Sequence, residues 1–322
     1  MKKELIRYLL CLCLLMVIMG GCGKDSEVTS EQEGREETNR IEETDASALE
    51  ESTTETETGN AVNQVIEFVE PAEKDFEYYD SGELGGVIIT RYNGEAAAVR
   101  VPDKIEGLAV KSVSITYNEI VRVELPDSVV ACSFEHCPNL TEITLPDGVT
   151  SIEDFSFSYC SSLRSITIPD SVTSIGRDAF SRCESLTAIT LPDSVTSIDQ
   201  NAFFYCSNLT SITIPDGIIG IESSTFVGCN NLMSITIPDS VTYIGEEAFF
   251  GCGFTSIIIP DSVTSIGEGA FAWCGSLTSI TIPDSVTSIG DYVFCGCEDL
   301  KVTYRGQEYT IDNDPANWWV YY

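Results

Sequence analysis

Residues 186–206 read LTAITLPDSVTSIDQNAFFYC, and near copies of that phrase fill the chain from Asn139 to Leu300 with a period of 23 residues. Pro126, Pro146, Pro169, Pro192, Pro215, Pro238, Pro260 and Pro283 mark the register, at intervals of 20, 23, 23, 23, 23, 22 and 23. Apolar residues in LxxIxI spacing, returning roughly every 20–29 residues, predict a solenoid with one turn of chain per repeat.

Within the phrase, Ile189 and Leu191 share one face of a short strand, and Leu186 precedes them on the inner side. Pro192 ends the strand, because it has no N–H for the next ladder bond. Asp193 and Ser194 make a turn, with the Asp side chain expected to bond nearby backbone amides. Val195 and Ile198 supply a second apolar pair, Gly176 and its equivalents are expected to release the backbone, and Ala202, Phe203 and Cys206 close the rung. No rung can bury these side chains alone, whereas stacking covers them from both sides. Parallel strands sit about 4.8 Å apart, so the stack of eight rungs is expected to extend on the order of 40 Å. Its exposed strand columns, Ser165/Thr167, Ala188/Thr190, Ser211/Thr213, Ser234/Thr236 and Ser279/Thr281 among them, are mostly hydroxyl-bearing and nearly uncharged.

Proline, glycine, Ala-Phe and Cys recur together at fixed offsets, as LxxIxLPxxVxxIGxxAFxxC. This pattern resembles the BspA-like leucine-rich repeats of bacterial surface proteins, from about Val121 to Leu300. The stretch from Tyr92-Asn93-Gly94 to Ile105-Glu106-Gly107-Leu108-Ala109-Val110 is similar to that family's opening cap. The Asn ladder of ordinary leucine-rich repeats is replaced by Ser or Gly, and the Cys column lies farther along the turn. The resemblance implies a mainly β, right-handed leucine-rich-repeat solenoid with one short parallel strand per rung of about 23 residues, capped at both ends. It also implies a non-enzymatic binding protein, associated with adhesion to a host or microbial surface protein or glycan. A rigid acidic envelope spacer without a dedicated ligand is the alternative. A monomer is expected.

The flanks place the chain outside the cell. Lys2, Lys3 and Arg7 precede an apolar run of 12 residues, Tyr8 to Met19, too short for an ordinary membrane span. Met19-Gly20-Gly21-Cys22 resembles a bacterial lipoprotein processing site, so residues 1–21 read as a signal peptide and Cys22 as the lipidated residue. A conventional signal beside an incidental Cys is the alternative. Gly23 to Asn60 carries 13 acidic residues against Lys24, Arg35 and Arg40, too polar and too charged to bury a core. Residues 22–62 are thus a disordered acidic tether, and the lipid at Cys22 is the only expected membrane contact. Residues 63–120 form an N-terminal cap with a degenerate first rung, 121–300 the solenoid, and 301–322 a C-terminal β-hairpin cap. That last segment turns at Gly306, with Trp318, Trp319, Tyr321 and Tyr322 packing on it or stacking on a sugar.

A formal charge of −34 opposes nucleic acid and anionic membranes. Cys137, Cys160, Cys183, Cys206, Cys229, Cys252, Cys274 and Cys297 form one column, where neighbouring Cβ vectors run parallel about 4.8 Å apart. A disulfide wants about 3.8 Å and converging vectors, so the column reads as buried thiols. Cys132 falls at a core position, and Cys295, in a column expected to be exposed, is the most reactive candidate. The lone histidine, His136, sits beside Cys137 on a turn, and sequence neighbours do not make a catalytic dyad. No nucleophile elbow, phosphate loop, dinucleotide motif or zinc signature is present, so no catalytic residue, metal site or cofactor is expected. The Asp column from Asp127 to Asp284 reads as turn structure rather than a calcium ladder.

Positions where the copies disagree hold the remaining information. The residue before the column Cys is His136, Tyr159, Arg182, Tyr205, Gly228, Gly251, Trp273 and Gly296 in turn. One place earlier stand Glu135, Ser158, Ser181, Phe204, Val227, Phe250, Ala272 and Cys295. Phe204, Tyr205, Phe250 and Trp273 are the candidate contact strip, since aromatics and Arg dominate interfaces. Free drift at an unconstrained turn accounts for the same variation.

Overall fold

The chain divides into residues 1–62 and 63–322. The computed structural model describes residues 67–311, so Cys22, the acidic tether and the aromatic residues after Ile311 lie outside the described residues.

The repeat winds into a mainly β solenoid. Each turn adds a short parallel strand to the main sheet face, whose ladder falls into three hydrogen-bonded runs: Ala98–Arg100, Arg122–Glu124, Glu142–Thr144 and Ser165–Thr167; Ala188–Ile189, Ser211–Thr213 and Ser234–Thr236; and Ser256–Ile258 with Ser279–Ile282. Neighbours pair in register, Ile166 with Ile143 and Ile235 with Ile212. Strand residues alternate exposed, buried, exposed, so the Ile column faces the core and the Ser and Thr columns face outward. A second, two-residue strand follows each Pro turn, as at Ser174–Ile175 and Ser197–Ile198, and these also pair in parallel.

The core is a set of one-residue columns. Phe134, Phe157, Phe180, Phe203, Phe226, Phe249, Phe271 and Phe294 stack ring on ring, with successive centroids 5.4–6.0 Å apart. The Cys column lies beside them. Cys137 donates to Ile115 O, and from Cys160 onward each thiol donates to the carbonyl of the preceding rung's Phe, as Cys206 Sγ does to Phe180 O at 3.1 Å. That carbonyl already accepts the amide of Cys183, so the thiol engages its second lone pair. The eight column cysteines and Cys132 are buried and free of disulfides. Burial pushes the thiol pKa up from Cys137 to Cys274, to about 11 at Cys137 and about 12 at Cys229, so thiolate is scarce there at neutral pH, whereas a hydrogen bond with Cys274 lowers Cys297. Thiol counting in denaturant without reductant should therefore find all eight column thiols. A count near zero would contradict the packing.

Three expectations about the rung need correction. The Asp residues after Pro are exposed and their carboxylates do not cap the turn. Instead Val195 N–H donates to Pro192 O, and in five rungs the following Ser donates to the rung before, as Ser194 Oγ does to Val172 O at 2.6 Å. Asp points outward from the turn, while Ser faces the previous turn of chain. Second, Gly176, Gly245, Gly267 and Gly290 do not release the backbone into positive φ. A Cβ at any of them would sit 2.4–2.6 Å from a backbone nitrogen of the preceding rung, so these glycines permit close approach. Third, Cys295 is buried at 7% exposure, because its column turns inward behind the Ala-Phe segment.

Both ends are closed by hairpins. Phe76–Ser81 and Gly86–Tyr92 pair antiparallel, and Gly86–Tyr92 then pairs in parallel with Leu108–Ser114. At the other end Leu300–Tyr304 pairs with Ser279–Ile282, extending the last of the three runs, and folds back onto Gln307–Ile311 through Arg305 and Gly306, both at positive φ. That is the geometry of a tight hairpin turn.

Candidate binding surface on the turn face

The segment that returns each rung to the main sheet must reverse direction while keeping Ala and Phe inside. It does so with two left-handed residues, four apart: Phe155 and Tyr159, Asp178 and Arg182, Asn201 and Tyr205, Ser224 and Gly228, Glu247 and Gly251, Gly269 and Trp273, Tyr292 and Gly296. Amide bonds between rungs fix this backbone, Tyr159 N–H to Ser181 O at 2.8 Å and Tyr205 N–H to Val227 O at 2.7 Å. The position before the column Cys is therefore tightly constrained. Glycine suits it, while an L side chain there costs roughly 1–2 kcal/mol.

Side chains nonetheless occupy it in five successive rungs. Tyr117, His136, Tyr159, Arg182 and Tyr205 all have φ between 53° and 60°. His136 stacks between Tyr117 and Tyr159, with ring centroids 4.6 and 4.4 Å away. The Arg182 guanidinium continues the pile, 5.5 Å from the Tyr159 centroid, 5.0 Å from Tyr205 and 5.9 Å from Phe204. Each stacked or cation–π pair returns roughly 0.5–1.5 kcal/mol, so the ridge about offsets its backbone strain and adds little stability.

Of the residues selected from sequence, the fold brings Phe204 and Tyr205 together, 4.7 Å apart between centroids, at the end of this ridge. Phe250 is half-buried two rungs on in the Phe204 column. Trp273, 41% exposed, is three rungs beyond Tyr205 in the ridge column, and its ring lies over Gly296. Gly228 and Gly251 separate it from Tyr205. Tyr117 escaped the sequence reading because its rung lacks the repeat phrase. Glycine alternating with Tyr and Trp at one offset was the available sign of the left-handed position.

A cavity of about 260 Å³ opens beside the ridge. Ser158 and Ser181, only 2% and 4% exposed, lie where Phe204 and Phe250 stand in later rungs, and that loss of volume creates the space. Asp178 lines it and accepts from Asn201 Nδ2 at 3.4 Å and from the Ser181 hydroxyl. Burial lifts the Asp178 carboxyl above the ordinary range, and those two hydrogen bonds oppose the shift. Charge is uneven along the solenoid. From Cys183 to Leu300 the chain has no Lys, Arg or His, so Arg182 and its aromatic neighbours border a wholly anionic half. His136 Nε2 is 3.9 Å from Glu135, and the adjacent Cys137 thiol points inward to the Ile115 carbonyl. The two share no reactive geometry.

Parallel strands about 23 residues apart, almost no helix, and columns of Ile, Phe and Cys define a bacterial leucine-rich-repeat solenoid. The family described as BspA type leucine rich repeat region matches residues 127–252 and 220–314, in 6 copies, and the chain belongs to that family. Among solved structures it is similar to a leucine-rich repeat protein from Bacteroides ovatus, at 28% identity over 71% of this chain and 70% of that one, with a TM-score of 0.58. It is also similar to the T. pallidum leucine rich repeat protein, at 33% identity over 65% of this chain and 91% of that one, with a TM-score of 0.52. No curated protein matches it. Proteins of this family are generally protein-binding surface proteins and typically non-enzymatic scaffolds.

Proposed function

We propose that the chain is a lipid-anchored, extracellular, non-enzymatic adhesin that holds a surface protein or glycan on its turn face. One observation carries this reading. A backbone position that accepts glycine in three rungs holds Tyr, His, Tyr, Arg, Tyr and Trp in the six others, where folding gains almost nothing from them. Drift at a left-handed site favours Gly, Asn, Asp and His rather than the Tyr, Arg and Trp that fill five of the six. Rigid aromatics around an Arg are what an interface uses for contact area at low entropic cost. The hydroxyl-lined sheet face supports recognition less well, since its columns barely change from rung to rung and offer little discrimination between partners.

Full-length chain applied to protein and glycan arrays tests the binding half, and specific retention of at least one partner is expected. Uniform absence of binding would favour the acidic spacer. Fatty-acid labelling tests the anchor: label should enter the wild type and be absent from Cys22→Ala. Equal labelling of both would remove the lipid from the account.

A further inference from the structure

We infer that the cavity floored by Ser158 and Ser181 is a subsite for one neutral hexose unit. This deepens the proposed adhesive function and rests on it. The size points to a single ring, since 260 Å³ falls just below the roughly 300–1,000 Å³ of pockets for larger ligands. The lining matches a polyol. Asp178 offers carboxylate oxygens, Asn201 an amide and Arg182 guanidinium N–H groups, all planar, while Ser158 and Ser181 bring hydroxyls to the floor. Neighbouring sugar hydroxyls are both donors and acceptors, and such a mixed set satisfies them together. Phe155, Tyr159 and Phe204 give the apolar wall that a C–H face requires.

Charge decides between neutral and ionic ligands. Glu135 and Asp178 oppose an anion, and Arg182 opposes a cation. An uncharged ring meets neither penalty. The site is also local to these rungs, because Phe204, Val227 and Phe250 fill the equivalent space farther along.

Saturation-transfer NMR on the full-length chain tests this, with glucose, galactose, mannose and N-acetylglucosamine as neutral probes, and glucuronic acid, glutamate and lysine as charged ones. At least one neutral hexose should receive saturation at millimolar concentration. Ser181→Phe, which copies residues the fold already accepts in that column, should abolish the signal while the thermal melt stays intact. Asp178→Asn should weaken binding about tenfold or more, and Ser211→Ala should leave it unchanged. No transfer to any neutral hexose, transfer only to a charged probe, or undiminished transfer in folded Ser181→Phe would overturn the assignment. A chain that retains an array partner but fails these tests loses the subsite and keeps the adhesive reading.

Discussion

Phe203→Ala is expected to cost about 3–5 kcal/mol, the range for emptying a fully buried aromatic site. The Phe203 ring is fully buried and stacked 5.5 Å from both Phe180 and Phe226. A cavity there removes contacts from two interfaces between rungs, and a solenoid's cooperativity resides in those interfaces. Thr213→Ala, on the exposed sheet face, should stay within about 0.5 kcal/mol. Urea unfolding of the full chain measures both. Similar losses at the two sites would mean that the inner and outer faces have been exchanged.

Gly267→Val should be nearly as damaging, at the upper end of the roughly 1–3 kcal/mol typical of overpacking. A Cβ at Gly267 would lie 2.5 Å from Glu246 N and 2.6 Å from Gly245 C, both backbone atoms that cannot rotate away. Gly245 and Gly290 stand in the same column under the same constraint, so the rungs cannot part locally. Gly275→Ala provides the control. Nothing lies within 4 Å of its added Cβ and its φ is not positive, so the change should be neutral or slightly stabilising. A tolerated valine at position 267 would show that the rungs can separate there without loss.

Much of this architecture was legible in the sequence because solenoid packing repeats itself in register. Pro192 announces the strand end, Ile189 and Leu191 announce the inner face, and Phe203 and Cys206 fall at offsets shared by every rung. What stayed hidden depends on backbone twist and side-chain reach, which alternation does not encode. Asp193 and Ser194 both read as turn residues, yet only Ser194 reaches the preceding rung. Two-residue strands such as Ser197–Ile198 are too short to show a period. Cys295 read as exposed because its column contains Glu135 and Ser158, although the chain folds that column inward. The cavity arises from what Ser158 and Ser181 lack, and a missing volume leaves no positive motif. The ridge was half visible: Phe204, Tyr205, Phe250 and Trp273 stand out as aromatics, and glycine at the offset of Tyr205 and Trp273 signals the left-handed backbone, but the stacking of Tyr117, His136, Tyr159 and Arg182 depends on side-chain reach.

The cost of that left-handed backbone supplies the most direct test of the claim that the ridge exists for contact rather than for folding. The measurement is paired, following unfolding stability and affinity for an array partner in Tyr205→Gly and Trp273→Gly, with Ser211→Ala and Thr213→Ala as sheet-face controls. Glycine relieves the positive φ at both ridge positions, as it does at Gly228, Gly251 and Gly296. The account predicts stability within about 1 kcal/mol of wild type together with a loss of affinity of roughly tenfold or more, and unchanged binding in the controls. Several kcal/mol of lost stability with binding intact, or loss of binding only in the sheet-face variants, would contradict it.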